Sequence, residues 1–481
     1  MMSEVSPLTN QRYIRFIIII CGIVAGAGIG VVSVMFSPLI ALALVISILI
    51  IIAIWRYPML GIILIAFSLP FERIGAYEFQ GFTIRASQLL LLITSLICFV
   101  QALGSRRANR QSHQMLVQLG AFVAVTTISL LNAQNMERSV TILGFTVFTM
   151  LLTWLVPSLI RTERQVRTII LVVLISAFIV SGFGIFQFLG DMVGLPPSVT
   201  GLRELYTKDV LGFPRVQSTA YEPLYFANYL LIPLSLALTL FLASSQVMKH
   251  ASLILLLLTG GVSFILTVSR GAYLGLACAV AIVAIYYLRR VFTLRNIIII
   301  SITAVVIWFA VVEVLGYGGE VFNLEKYEEH VTGVFLGASY DERVYTFEQA
   351  FTVWRGHPFF GTGVGGFGPV IATHPYVVPD DGWKIVNNEF IELLAETGII
   401  GLALFIAFAI ALIVRSFHAI RLSNDGTLRA LMVGLLAAWI GILAQYLTFS
   451  TLYIMHIWFL VGLMIATQNI IFSKSRSADT I

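Results

Sequence analysis

Apolar residues run along the chain in long blocks separated by mostly short polar breaks. Blocks lie near residues 16–36, 38–54, 58–70, 85–103, 115–132, 139–160, 168–189, 225–245, 251–268, 271–288, 296–316, 390–414, 428–449 and 451–472. A helix needs about 20 apolar residues to cross ~30 Å of hydrocarbon. Most blocks meet that length, and 58–70 is short enough to be re-entrant. Lipid leaves backbone groups no partners but one another, so such blocks must be helices. The pattern predicts an all-α polytopic membrane protein with 12–14 transmembrane helices. Two breaks are long, Gly190–Pro223 and Tyr317–Asn388. They divide the chain into N-terminal helices (1–189), a first loop (190–224), central helices (225–316), a large loop (317–388) and C-terminal helices (389–481).

Composition agrees: 59% of the 481 residues are hydrophobic, 11% are charged and the mean hydropathy is +0.95, which excludes a soluble domain. The net charge of +5 is unevenly distributed. With both termini on one side, that side receives 18 of the 29 basic residues and 4 of the 24 acidic ones. Basic loops stay in the cytoplasm. Both termini are therefore expected there, and both long loops outside, where function tends to sit on long ordered loops. Arg12 and Arg15 precede an apolar block too long for a cleaved signal, so it is read as a retained first span. Cys21, Cys98 and Cys278 lie inside apolar blocks and suggest core positions. No repeat, Walker loop or metal-ligand spacing is visible, and nothing points to a cofactor, a metal or nucleic acid.

The outward loops carry the chemistry. In SYDERVYTFEQAFTVWRGHPFFGTGVGGFG (339–368), Ser339 and Glu342 form a capping box. Val344, Phe347, Phe351 and Trp354 then recur at helical spacing, and Gly356 and Pro358 end the helix. This predicts an amphipathic helix on the membrane surface, with Arg343 on its polar face, either paired to Asp341 or solvated. The following GTGVGGFG offers backbone N–H groups that suit phosphate, or merely a tight connector. His357 and His374 are loop histidines, either able to act as a base. Arg215 and Glu222 flank the start of a span, where an Arg–Glu anchor pair is the plainest reading. Arg270 interrupts about 36 apolar residues, an expensive place for a charge and therefore a functional or pairing one. In VNNEFIELLAETG (386–398), an asparagine caps a helix whose first turn holds Glu389. Glu389, Glu392 and Glu396 form a stripe descending about 10 Å. Glu396 lies deeper than capping needs, and an outward arginine is the expected partner. Three arginines beside one face suit a lipid diphosphate, because the guanidinium fork matches phosphate and stays charged.

The segments RVQSTAYEPLYFANYL, TVSRGAYLGL, ERVYTFEQAFTVWRGHPFFGTGVGGFG and NNEFIELLAETGIIG, in that order, resemble the O-antigen ligase and O-antigen polymerase (Wzy-type) superfamily over roughly residues 210–470. The resemblance implies a C-type glycosyltransferase fold. It implies transfer of undecaprenyl-diphosphate-linked glycan to a hydroxyl acceptor, a glycan or lipid, at the outer leaflet of the bacterial inner membrane, without metal or nucleotide sugar. Arg215 and Arg270 would contact the diphosphate, Arg343 would shape that pocket, and Glu396 falls on the family's E-x-G element. Ligases that act on lipid A core open the last motif with His-Asn, the His being the proposed base. Here Asn387 stands in that place, and an amide has no useful proton affinity. The acceptor-side candidates are then Asn387, Asn388, Glu222, Glu389 and His374, or the departing phosphate takes the proton. Polymerisation, or ligation to another acceptor, is favoured over lipid A ligation. Protein O-oligosaccharyl transfer, a flippase and a non-catalytic scaffold are the alternatives.

Overall fold

The computed structural model describes residues 38–74, 76–79, 82–104, 113–299, 301–302, 305, 338–379 and 382–479. The predicted span at 16–36, Cys21, most of the span at 296–316 and the first part of the Tyr317–Asn388 loop lie outside them.

Twelve of the predicted blocks are helical among the described residues. They are α1 (Pro38–Arg56), α2 (Pro58–Ser68), α3 (Ala86–Gly104), α4 (His113–Ser129), α5 with α6 (Met136–Met150, Leu152–Leu159) and α7 (Glu163–Met192). They continue with α8 (Pro223–Ala243), α9 (His250–Leu266), α10 (Arg270–Val291), α12 (Glu389–Leu422), α13 (Gly426–Gln445) and α14 (Met455–Asp479), while α11 (Ala338–Gly356) lies in the large loop. Nine helical stretches among the described residues are long and apolar enough to cross a membrane. The chain is an all-α multi-pass membrane protein. A two-stranded hairpin, β1 (Tyr77–Phe79) and β2 (Phe82–Ile84), is a small addition that the hydropathy pattern did not show.

The core centres on α8, α13 and α14, which other helices surround, with Trp439, Trp458 and Tyr446 fully enclosed. In lipid, helices associate through close packing rather than hydrophobic exclusion. α10 and α13 therefore meet backbone to backbone: a Cβ on Gly275 would sit 2.6 Å from the Gly441 carbonyl oxygen. This crossing fixes the start of α10, where Arg270 stands.

Two elements depart from the predicted pattern. The apolar block 428–449 stops being helical at Gln445, and residues 446–454 run irregularly. Their carbonyls serve the start of the earlier helix α12 instead, Tyr446 and Phe449 oxygens accepting from Glu389 N–H at 2.9 and 3.2 Å. α11 buries Phe347, Ala350 and Val353 against Phe367, Val386, Ala395 and Ile391, so that face meets protein rather than a membrane surface. Val344 and Phe351, expected on the same stripe, are exposed. Asp341 and the Ser339 side chain lie outside the described side chains, so neither the Ser339–Glu342 cap nor an Asp341–Arg343 pair is on view.

Candidate functional site

Arg215, Arg270 and Arg343, from three separate segments, line one cavity of about 210 Å³ with Tyr206, Glu222, Ser269 and Thr448. Each arginine is half-buried. Arg215 follows a loop that folds back on the α9–α10 turn: Val216 N–H donates to the Leu266 oxygen at 3.0 Å. Its guanidinium donates to the Thr267 and Val268 carbonyls, both at 3.3 Å, and lies 5.9 Å from the Tyr206 ring centroid. The expected Arg215–Glu222 anchor pair is thus replaced by backbone acceptors. Val268 holds φ +50, a sparsely populated region for a β-branched residue, which makes the turn tight enough to set Arg270 at the first position of α10. Arg343 reaches the cavity from the second turn of α11.

The cavity favours anions. Burial pushes the Arg215 guanidinium pKa down, and the charge of Arg270 adds to that; Arg343 is shifted the same way for the same two reasons. Cations held this close are costly without a counter-charge. Burial pushes the Glu222 carboxyl above the usual carboxylate range, while Arg203 and Arg215 pull it back. Two long helices also begin here, α8 after Glu222 and α10 after Ser269, and neither N-cap residue makes a side-chain cap bond. Such N-termini direct the positive end of the helix dipole at the cavity.

The carboxyl stripe is elsewhere. Glu389, Glu392 and Glu396 line a separate small cavity with Arg138 of α5. Glu396 is not partnered by any of the three arginines. Its two carboxylate oxygens accept from Gly365 N–H (2.8 Å) and Phe367 N–H (3.1 Å), so the glycine loop is a nest for an internal carboxylate rather than for phosphate. Arg138 Nε donates to the Gly365 oxygen at 2.8 Å and so grips the loop from its other side. Gly361, Gly363 and Gly365 all hold positive φ. α12 is kinked at Gly398 (φ +69), and the loop satisfies the opened backbone: Gly363 N–H donates to the Glu396 oxygen at 2.9 Å, and Ile399 N–H to the Pro358 oxygen at 2.9 Å.

Asn388 is the N-cap of α12, its Oδ1 accepting from Phe390 and Ile391 N–H at 3.1 and 3.2 Å. Its Nδ2 donates to the Leu447 oxygen at 3.1 Å, next to Thr448 of the arginine cavity. Glu389 is buried, and its Oε2 has no hydrogen-bond partner among the described residues. Asn387 (φ +56) and the exposed His374 line a third cavity of about 710 Å³ with Trp383 and Tyr345. The structure therefore joins Glu222 to the arginines, puts Asn387 and His374 together in a neighbouring cavity, and places Glu389 in the carboxyl cavity, which borders that of Asn387 at Gly368, Lys384 and Ile385. His357 borders yet another cavity, of about 610 Å³. Among the described residues, no His, Cys, Asp and Glu group is arranged to hold a metal ion.

Sequence reasoning missed Arg138, Tyr206 and Trp383. Arg138 sits 5.5 Å from the Trp383 ring centroid, linking the nest to the third cavity. It carried no signal like that of Arg270, because it lies in the polar break NAQNMERS (132–139) ahead of the apolar block.

The fold and its cavities define a multi-pass membrane protein that gathers fixed positive charge at one end of a helix bundle. Residues 253–406 match the family model Wzy_C, O-antigen ligase. Over that span the chain is similar to the O-antigen ligase family, which supports an O-antigen ligase- or polymerase-type function. A comparison with curated proteins finds no match. The matched span contains Arg270, Arg343, Asn387 and Glu396 but neither Arg215 nor Glu222.

Proposed function

We propose that the protein transfers a glycan from undecaprenyl diphosphate to a hydroxyl acceptor at the extracytoplasmic face of the bacterial inner membrane, as a polymerase or ligase of envelope polysaccharide. The observation that carries this reading is the convergence of Arg215, Arg270, Arg343 and two uncapped helix N-termini on one cavity. A diphosphate leaving group gains charge as its bond to sugar breaks, and fixed donors aimed at that charge lower the barrier. The acceptor oxygen attacks the anomeric carbon. The bond from that carbon to the diphosphate oxygen breaks, its electron pair stays on the diphosphate, and Glu222 takes the hydroxyl proton. Glu222 suits that role because it lines the arginine cavity and burial raises its proton affinity towards the working range. Asn387 and His374 hydrogen-bond the acceptor in the adjoining cavity. Glu389 and Asn388 organise the start of α12, and Glu396 anchors the glycine loop. Asn387 in place of a histidine base favours polymerisation.

The test is to delete the gene and separate the cell's glycans on a gel. Single repeat units left on the carrier lipid mean polymerase, and finished polymer left on undecaprenyl diphosphate means ligase. Arg270→Ala reproduces the deletion while the protein still inserts. Normal chain-length ladders from that variant sink the proposal.

A further inference from the structure

Glu222 stands between two supports. On its C-terminal side Pro223 opens α8, and Phe226 N–H donates to the Glu222 carbonyl at 3.1 Å. The Glu222 side chain makes no cap bond and is left to face the arginine cavity. On its N-terminal side the chain is held by residues 70–85, the link between α2 and α3. Thr219 Oγ1 donates to the Pro70 oxygen at 2.6 Å, and the Thr219 carbonyl accepts from Arg73 N–H at 3.0 Å. Tyr221, next to Glu222, is gripped at three points. Its N–H donates to Glu72 Oε2 at 3.3 Å, its hydroxyl donates to Thr83 Oγ1 at 3.2 Å, and its ring centroid lies 5.1 Å from the Arg85 guanidinium. Arg85 and Glu72 are themselves 3.6 Å apart.

This grip comes from a firm base. α2 and α3 pack so closely that Gly61 has no room for a Cβ against Thr94. The Arg85 backbone is tied to the first turn of α3, donating to Gln88 Oε1 at 2.9 Å and accepting from Gln88 N–H at 3.0 Å. Glu72 is buried. Burial pushes its carboxyl above the usual carboxylate range, Arg85 and the Tyr221 N–H pull it back, and the charge of Glu222 adds to the rise. Arg85 thus favours the anion that accepts from Tyr221. The other reactive group of this loop hangs from a different wall. Arg215 N–H donates to the Tyr206 oxygen at 2.9 Å, and its guanidinium bonds the α9–α10 turn.

We propose that Glu72 and Arg85 are positioning residues for the transfer: through Tyr221 they fix the backbone from which Glu222 reaches the acceptor hydroxyl. Because Arg215 is carried elsewhere, losing either residue slows proton abstraction and leaves diphosphate binding intact. The role rests on the reading of Glu222 as the base.

The test uses the full chain in detergent, with undecaprenyl diphosphate binding read by calorimetry and kcat by product formation from lipid-linked repeat units of the source strain. Misplacing a catalytic group by about 1 Å costs on the order of 100-fold in rate, so Glu72→Ala and Arg85→Ala each lower kcat about 10- to 100-fold. Undecaprenyl diphosphate affinity stays within about twofold of wild type, the mark of a group that acts only in the transition state. Glu72→Gln, which keeps an acceptor for the Tyr221 N–H, holds kcat within about fivefold of wild type. Tyr221→Phe, which loses the Thr83 bond and keeps the ring beneath Arg85, lowers kcat about 2- to 10-fold. Amide exchange rises at 219–222 in both alanine variants and keeps its wild-type rate at 215–217. Unchanged kcat in both alanine variants, an equal loss of kcat and diphosphate affinity, or a Glu72→Gln variant as slow as Glu72→Ala overturns the positioning role. Were Glu222→Gln to turn over normally while the 219–222 amides still opened in Glu72→Ala, the base reading would fail and the support of this loop by Glu72 would stand.

Discussion

Replacing Glu396 with Gln tests whether the glycine loop is held by a carboxylate. Two buried N–H groups, of Gly365 and Phe367, donate to its two oxygens at 2.8 and 3.1 Å. Glutamine retains one acceptor oxygen and turns an NH2 towards the other donor. A buried donor left unsatisfied costs about 1–3 kcal/mol, so Glu396→Gln should weaken the loop by about that much and Glu396→Ala, which orphans both, by roughly 2–6 kcal/mol. Hydrogen exchange of the 361–368 amides reads this directly, since about 1.4 kcal/mol is a factor of ten in an opening equilibrium. Exchange should rise about 5- to 150-fold in Glu396→Gln and further in Glu396→Ala. Gly368 of this loop lines the Asn387 cavity and Thr362 the His357 cavity, so acceptor use should fall with it. Equal exchange in wild type and Glu396→Ala would show that the backbone bonds to α12, from Thr362 and Gly363, hold the loop without the carboxylate.

Arg343→Ala should lower undecaprenyl diphosphate affinity about 10- to 100-fold, one hydrogen-bonded charge pair being ~1.5–3 kcal/mol, with little change in thermal unfolding. Arg215→Ala should lose as much affinity and also melt earlier, because the Thr267 and Val268 carbonyls lose their donor; equal melting of the two variants would contradict the structural part of its role. Gly275→Ala should destabilise the detergent-solubilised protein by about 1–3 kcal/mol, through overpacking against the Gly441 carbonyl, and a melting temperature at or above wild type would disprove the close crossing of α10 and α13.

Hydropathy made nearly all of the described helices legible, because lipid imposes the same demand on every spanning segment. It failed at 446–454, which stays apolar through Leu447, Phe449 and Leu452 while its backbone turns to bond Glu389. Apolarity reports solvent, not hydrogen-bond partners. Arg270 stood out because charge beside lipid is costly, Arg215 as a charge at the start of a span and Arg343 on the polar face of a loop helix, and the fold does bring the three into one cavity. The partner of Glu396 did not stand out. Its donors are backbone amides some thirty residues upstream, and the letters of a glycine loop do not show which way its N–H groups point. The amphipathic helix was legible as a helix, but its buried face was not, since a protein wall and a lipid surface select the same residues.

The neighbourhood of Glu222 implies that donor binding arms the base. In the free protein its carboxyl is already raised by burial, against the pull of Arg203 and Arg215. A diphosphate in the same cavity brings negative charge beside it and occupies Arg215, and both changes favour the protonated form. A base of higher pKa abstracts a proton more readily once deprotonated, so Glu222 is strongest when the sugar donor is present. The sign follows. Activity requires the ionised carboxylate, so it is lost as pH falls through the Glu222 pKa. The acid limb of kcat/KM for the donor reports the free enzyme and that of kcat the loaded one. The kcat limb should therefore lie at the higher pH. Arg203→Ala, which removes one cation that lowers the Glu222 pKa, should move the kcat/KM limb upward as well. Glu222→Gln should abolish turnover while undecaprenyl diphosphate still binds, because the loss of a negative charge beside three arginines favours the anion. A kcat limb at lower pH than the kcat/KM limb, or acid-limb titration that persists in Glu222→Gln, would assign the proton to another acceptor, the departing diphosphate itself being the nearest.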